Sequence, residues 1–386
     1  MVSISGSTKL WAFILAEQFE KKNCLDHLFT TYAYNKNTLA RYLVKRIDKE
    51  EIPVDKIRTN ILLAFPIILF PFKIHIWNDL FDQWAAIQLK KSDSRVFIGW
   101  SGMSLYSLKQ AKKKHMMTIL ERGSSHILIQ NRILKEEYNR FGKKFTIHPA
   151  VIQKELEEYQ MADFISVPSF FVRDSFIQEG FDEKKLIVNP FGANEYFTPA
   201  KKIDGSGATK KFRIVYLGSL SIRKGLLYLF QALNRLGLAS DSFEIWFIGK
   251  IEEELKPFVN QYKKDNWKFF GHINHYDLRK YLVQCDVGVQ PSLEEGLSMV
   301  IPQMMSCGIP VIVTPNTGGE NIIKNELNGF VVPIRDPVAI ANSLELLFAN
   351  RKRLESMKSE AVLAIASGFT WNDYGNRYME NILNRL

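Results

Sequence analysis

Three cysteines in 386 residues, Cys24, Cys285 and Cys307, stand far apart in apolar surroundings. An odd number at that spacing excludes a disulfide framework and a cysteine-based metal site, and reads as buried reduced thiols of a cytoplasmic protein. No apolar stretch is long enough to span a bilayer: the longest, ILLAFPIILFPF from Ile61 to Phe72, has twelve residues and two prolines. Met1 runs directly into the strand-like VSIS, so no signal peptide is read there. Low-complexity tracts are missing, and 46% hydrophobic with 24% charged residues is the composition of a folded globular chain. Nor is any basic run interleaved with aromatics. The net charge of +10 is scattered, which excludes a nucleic-acid groove and leaves an anionic membrane surface or phosphorylated small molecules as the partners it favours.

The Ile61–Phe72 segment has two readings. It is either a buried or domain-surface helix, or an element of peripheral membrane contact, which Lys73, Trp77 and the basic excess support.

What is present is a regular alternation. Short apolar runs are separated by longer amphipathic patterns from end to end, the signature of parallel sheets covered by helices. In the first half VSI, LFTTY, VFIGW, MTILE, FISVP and LIVNP read as strands. A polar gap, PAKKIDGSGATKK from Pro199 to Lys211, is the linker. Beyond it FRIVYLG, FEIWFIG, WKFFG, VGVQPS, PVIVT and NGFVVPI continue the alternation. The chain is thus predicted to be α/β, with two doubly wound domains at 1–198 and 212–365. The helix at 366–386 leans back on the first domain.

Ligands of open parallel sheets sit beyond the carboxyl ends of the strands. Glycines mark several of these turns: Gly6, Gly218, Gly225, Gly249 and Gly271. One such glycine serves backbone geometry, but the set, on two sheets facing one cleft, suits the close approach of a sugar nucleotide's base and phosphates. Arg223 and Lys224 stand just before the helix that starts near Gly225, where two cations and unpaired N–H groups suit a diphosphate. A solvated basic loop is the alternative. In PSLEEGLSMVIPQMMSC, Glu294 and Glu295 interrupt apolar surroundings, and a buried carboxylate without a partner is costly, so solvent or a ligand is expected there. A helix starting between Leu297 and Met299 and running to Cys307 would leave the amides of Gly296, Leu297 and Ser298 free for hydroxyls or phosphate oxygens. The alternative is a plain acid at a helix start.

EEGLSMVIPQMMSCGIPVIVTPNTGG resembles the signature of retaining family 4 (group 1) glycosyltransferases: a glutamate, a glycine, six residues and a second glutamate, then AMACGxPVI and a glycine pair. Glu295 and Gly296 match its start, while Gln303 stands where the second glutamate is expected. The resemblance extends through Ala162–Ser169, Pro190–Pro199, Arg223–Gly225, Phe269–Gly271 and Asn328–Pro333. It implies the GT-B architecture of two Rossmann-like domains with the site between them. It also implies no catalytic metal and no cofactor, in keeping with the lack of an Asp-x-Asp triplet.

By the same resemblance Glu295 meets the donor sugar's hydroxyls, Gln303 the ribose, and Arg223 and Lys224 the diphosphate. Relatives carry an arginine where this chain has Ser219, a loss for which Arg223 compensates. His126 is the first-domain histidine touching the donor sugar, and Gly6, Ser7 and Thr8 approach the phosphates from that side. Acceptor contacts come from Trp100, Ser101 and Gly102. The implied reaction moves a sugar, with retention, from a UDP- or GDP-sugar to a hydroxyl of a glycan, lipid-linked or protein-linked acceptor. A GT-B epimerase and an inactive nucleotide-sugar-binding protein are the rival readings.

Overall fold

A computed structural model describes residues 1–7, 10–31, 52–63, 74–200 and 211–386. Thr8, most of the long apolar segment (64–73) and the linker residues 201–210 lie outside the described residues. The described chain builds two sheets. In the first, β1 (Val2–Ser5), β2 (Leu25–Thr30), β3 (Ile57–Thr59), β4 (Val96–Trp100), β5 (Met117–Glu121), β6 (Phe164–Val167) and β7 (Leu186–Val188) stand in the order 3-2-1-4-5-6-7. In the second, β8 (Phe212–Leu217), β9 (Phe243–Ile248), β10 (Trp267–Gly271), β11 (Val287–Gln290), β12 (Val311–Val313) and β13 (Gly329–Val331) stand in the order 10-9-8-11-12-13. Neighbouring strands pair in parallel in both sheets. Each sheet reverses its winding between its first and fourth strands, β1 and β4 in one and β8 and β11 in the other, which is the doubly wound order predicted from the alternation.

Strands β1, β4, β9 and β11 are buried at every residue, as parallel strands covered on both faces must be. The covering helices bury one stripe each. Leu226–Arg235 buries Leu226, Leu227, Leu229, Phe230, Ala232 and Leu233, a helical stripe in which each large side chain contributes roughly 1.5–3 kcal/mol. All six strands read in the second half form. In the first half β3 was not read from the sequence, because Ile-Arg-Thr at a sheet edge, with Arg58 and Thr59 exposed, carries no apolar run.

The Trp371–Leu383 helix starts at a capping box formed by Thr370 and Asp373. It packs against the Leu10–Lys21 helix, with Tyr378 edge-on to Phe19 at 5.9 Å. Arg377 donates to Asn189 Oδ1 (2.9 Å) and to the Pro190 carbonyl (2.7 Å). One apolar cluster accordingly joins β1, β4 and β5 to Trp371, Tyr374, Tyr378 and to Leu297 and Ile301 of the second domain.

Candidate functional site

Beyond the carboxyl end of β8 the chain turns through Gly218 and enters its helix at Gly225. Gly225 is left-handed (φ 69°), and a Cβ there would lie 1.9 Å from the Pro291 carbonyl oxygen, so the turns after β8 and β11 fit only with glycine at this point. Leu293 N–H donates to the Arg223 carbonyl (2.9 Å) and links the same two turns. No side chain caps the helix that begins at Leu226, which leaves its amino end suited to an anion.

These turns bring two cations onto two carboxylates. Glu294 is fully buried; its Oε1 accepts from Ser125 N–H (3.0 Å) and Ser125 Oγ (2.8 Å), and its Oε2 accepts from Gln130 Nε2 (3.0 Å) and pairs with the Arg223 cation (3.1 Å), whose Nε donates to the Glu294 carbonyl (2.9 Å). Burial alone would raise this carboxyl, but Arg223 and the bonds from Ser125 and Gln130 hold it below the ordinary glutamate range. Glu295 lies beside it in contact with Lys224 Nζ, and accepts from Ser292 Oγ (3.3 Å). Burial and the neighbouring Arg223 cation push the Lys224 ammonium down to about 7, against the pull of Glu294. The Glu295 carboxylate touching Nζ favours the charged form.

The expected resident next to the paired acids was solvent or a ligand. For Glu294 it is the other domain: Ser125 and Gln130 belong to the first sheet's side, 169 and 164 positions away in the chain. Nothing in one sequence ties those positions together, although Ser125 sits in the polar cluster ERGSSHILIQ. The Ile127–Arg140 helix that carries Gln130 also accepts, at Glu137, from Tyr228 (2.7 Å) and Arg335 (2.7 Å), and its Tyr138 hydroxyl donates to Glu254 (2.8 Å). This helix is the strut between the domains.

The helix after Glu295 spans only Val300–Ser306, shorter than the sequence suggests. Ser298 N–H, expected to be free, donates instead to the Thr317 carbonyl (3.0 Å), and the Glu295 amide to that of Asn316 (3.0 Å). Leu297 packs in the core and Gln303 is buried on the helix. Gly296 touches the first domain: a Cβ would lie 2.0 Å from the Gly123 carbonyl oxygen and 2.9 Å from Pro168, and its own carbonyl accepts from Ser169 Oγ (2.6 Å). Gly296→Ala is therefore expected to lower stability by about 1–3 kcal/mol in urea unfolding. Gly237→Ala, where the nearest atom is Glu345 Oε1 at 3.5 Å, serves as the near-neutral control.

Gly218, Gly249 and Gly271 end β8, β9 and β10 side by side; Gly249 N–H donates to the Gly271 carbonyl (2.8 Å). Ser219 is half-buried and accepts from the Tyr216 hydroxyl at its carbonyl (2.8 Å). In the first domain Gly6 packs between Ala12 and Trp100, and the buried Ser7 hydroxyl lies 3.3 Å from Met103 Sδ. His126 is enclosed by Tyr159, Phe176 and Phe181 and is 1% exposed. Burial and Arg122 push its imidazole down to about 4, and Nδ1 accepts weakly from Leu128 N–H (3.4 Å). It is thus an uncharged cap of the strut helix, and the structure sets it in an aromatic box rather than on the cleft surface.

Next to Gly123 and Ser124 a cavity of about 270 Å³ opens on the first domain, lined among others by Trp11, Trp100, Ser101, Gly102 and Arg122. Its charges are balanced in place: Arg122 pairs with Glu155 (2.7 Å) and Lys154 with Asp79. A neutral, hydroxyl-rich group beside indole rings suits such a lining.

Residues 211–350 match the family model Glycosyl transferases group 1. An uncharacterized glycosyltransferase of Methanocaldococcus jannaschii is 27% identical over 42% of this chain and 42% of its own length. The UDP-Gal:alpha-D-GlcNAc-diphosphoundecaprenol alpha-1,3-galactosyltransferase of Escherichia coli is 31% identical over 49% of this chain and 51% of its own. The matches thus span about half the length of these relatives. Among solved structures, sucrose-phosphate synthase of Thermosynechococcus elongatus superposes with a TM-score of 0.70 at 15% identity, covering 100% of this chain and 98% of that one. HepE of Anabaena in complex with UDP-glucose gives 0.69 at 14% identity, covering 99% of both. The chain has the two-domain GT-B fold of these structures, and its second domain carries the Glycosyl transferases group 1 match.

Proposed function

We propose that this protein is a retaining glycosyltransferase of family 4, transferring a hexosyl or deoxyhexosyl group from a nucleotide-diphosphate sugar to a hydroxyl of a glycan or lipid-linked acceptor. The observation that carries this reading is the quartet of Arg223, Lys224, Glu294 and Glu295 at an uncapped helix start, where the central strands of the second sheet face the first domain. A diphosphate there displaces carboxylate contacts from two cations that are already half-desolvated. Arg223, with a third of its side chain exposed, is the more accessible of the two. Once Lys224 turns to the phosphate, Glu295 is left to accept sugar hydroxyls. The leaving phosphate takes the acceptor proton, and the cations offset the charge it gains. UDP is the favoured base, since HepE was solved with UDP-glucose and the Escherichia coli relative is named for UDP-Gal.

The reading also holds that no metal is needed. UDP at 100 times its dissociation constant is expected to add about 2.7 kcal/mol to unfolding stability, with or without EDTA. Transfer from the sugar nucleotide that stabilises best should give product of unchanged anomeric configuration by NMR. Dependence on a divalent ion, inversion, or release of free sugar without an acceptor would each refute part of this reading.

A further inference from the structure

Arg122, just beyond β5 and 6% exposed, stands between the first-domain cavity and the phosphate site. On the cavity side it pairs with Glu155 (2.7 Å) and donates to Ser101 Oγ (3.3 Å). On the other side it donates to the Ser125 carbonyl from Nε (3.0 Å) and from a terminal nitrogen (2.8 Å), and to Gln130 Oε1 (2.9 Å). Ser125 and Gln130 are the first-domain residues that hold Glu294.

An arginine can only donate, so it fixes which way both links point. With Gln130 Oε1 taken by Arg122, the amide Nε2 is turned to Glu294; with the Ser125 carbonyl taken, its N–H and hydroxyl face the same carboxylate. Each link thus accepts from the cation and donates to the anion, an arrangement in which successive hydrogen bonds polarise one another. Burial works against the Arg122 charge, but Glu155, Tyr159, Glu294 and Glu158 raise the guanidinium above its ordinary range. Two anions, Glu155 at the cavity and Glu294 at the cleft, therefore draw on one first-domain cation.

We propose that Arg122 is a positioning residue for the donor: when a diphosphate draws Arg223 and Lys224 to itself, Arg122 becomes the counter-charge of the buried Glu294 carboxylate and loosens its hold on Glu155. Glu155 lines the cavity, so its carboxylate is then released to accept a hydroxyl there. By linkage, whatever takes Glu155 from Arg122 tightens diphosphate binding by the same factor. The inference rests on the phosphate site of the proposed function, but not on which sugar or acceptor is used. An ion pair that served only to tie the Pro149–Met161 helix to the end of β5 would not need the remaining Arg122 donors on the partners of Glu294.

Calorimetric titration with UDP, and with inorganic pyrophosphate as a probe that needs no base contact, tests the link. Glu155→Gln leaves the donors to Ser125 and Gln130 in place and frees Arg122 for Glu294, so it is expected to tighten both ligands by roughly fivefold or more, the opposite of what a merely weakened packing contact would do. Arg122→Gln combined with Glu155→Gln strands no charge in the pair and should weaken both ligands by roughly the same factor. In a Glu294→Gln background no carboxylate is left to serve, and the effect of Glu155→Gln should shrink to less than about twofold. Glu155→Gln that binds no tighter than wild type overturns the proposal, whether or not the double variant folds. Tightening that persists in full beside Glu294→Gln overturns it too, since it then comes from the altered field rather than from the links. A wild type that binds neither ligand removes the phosphate site itself, and the proposed function falls together with this inference.

Discussion

Glu294→Ala is expected to destabilise the protein by about 2–4 kcal/mol, more than any other single change at the cleft. The carboxylate is fully buried and is held from both domains, by hydrogen bonds from Ser125 and Gln130 on one side and by the Arg223 cation on the other. Its removal leaves the buried N–H and hydroxyl of Ser125 without an acceptor, each costing on the order of 1–3 kcal/mol, whereas the part-exposed Gln130 and Arg223 recover some of their loss by hydration. Glu294→Gln keeps the shape and removes the charge, so it separates the two contributions. The sign of the pH dependence follows from the lowered folded pKa: the charge contribution is present above the ordinary value of 4.5 and is lost as pH falls through the depressed one. The stability gap between wild type and Glu294→Gln should therefore close in strong acid. Urea unfolding at neutral pH and again below pH 4 measures it, and a gap that is the same at both would contradict the assignment.

Legibility in the sequence followed the range of the interaction. Strand alternation is local, since a buried parallel strand needs its own apolar run, and the second sheet was read complete from it. β3 escaped because an edge strand of three residues needs no such run. The cations before Gly225 and the acids before Gly296 were also visible, as charges where apolar packing stops. Which acid does what was not visible. Glu294 is held by residues from another domain, and Ser298 N–H by a carbonyl in the turn after β12, and neither partner leaves a trace in the flanking sequence. The family resemblance points to His126 as a donor contact, but the aromatic box around it is assembled from Tyr159, Phe176 and Phe181, residues that only the fold brings together.

Lys224→Ala is expected to lower turnover by a factor of tens or more, corresponding to roughly 2–4 kcal/mol of transition-state stabilisation. On the proposed transferase reading Lys224 meets the diphosphate as it leaves and gains charge, and a preorganised cation acts most strongly when it is shielded from water. That shielding has a second consequence. Burial and Arg223 push the Lys224 ammonium down to about 7, against the pull of Glu294 and Glu295, so kcat/KM, which reports the free enzyme, should fall as pH rises above neutrality. A bound dianion restores the proton, and kcat should fall less. Lys224→Arg stays charged throughout the accessible range and is expected to retain part of the turnover while losing the alkaline decline in kcat/KM. Steady-state profiles of the three proteins decide the matter: a Lys224→Ala enzyme with near wild-type turnover, or an alkaline decline that persists in Lys224→Arg, would show that the charge meeting the phosphate lies elsewhere.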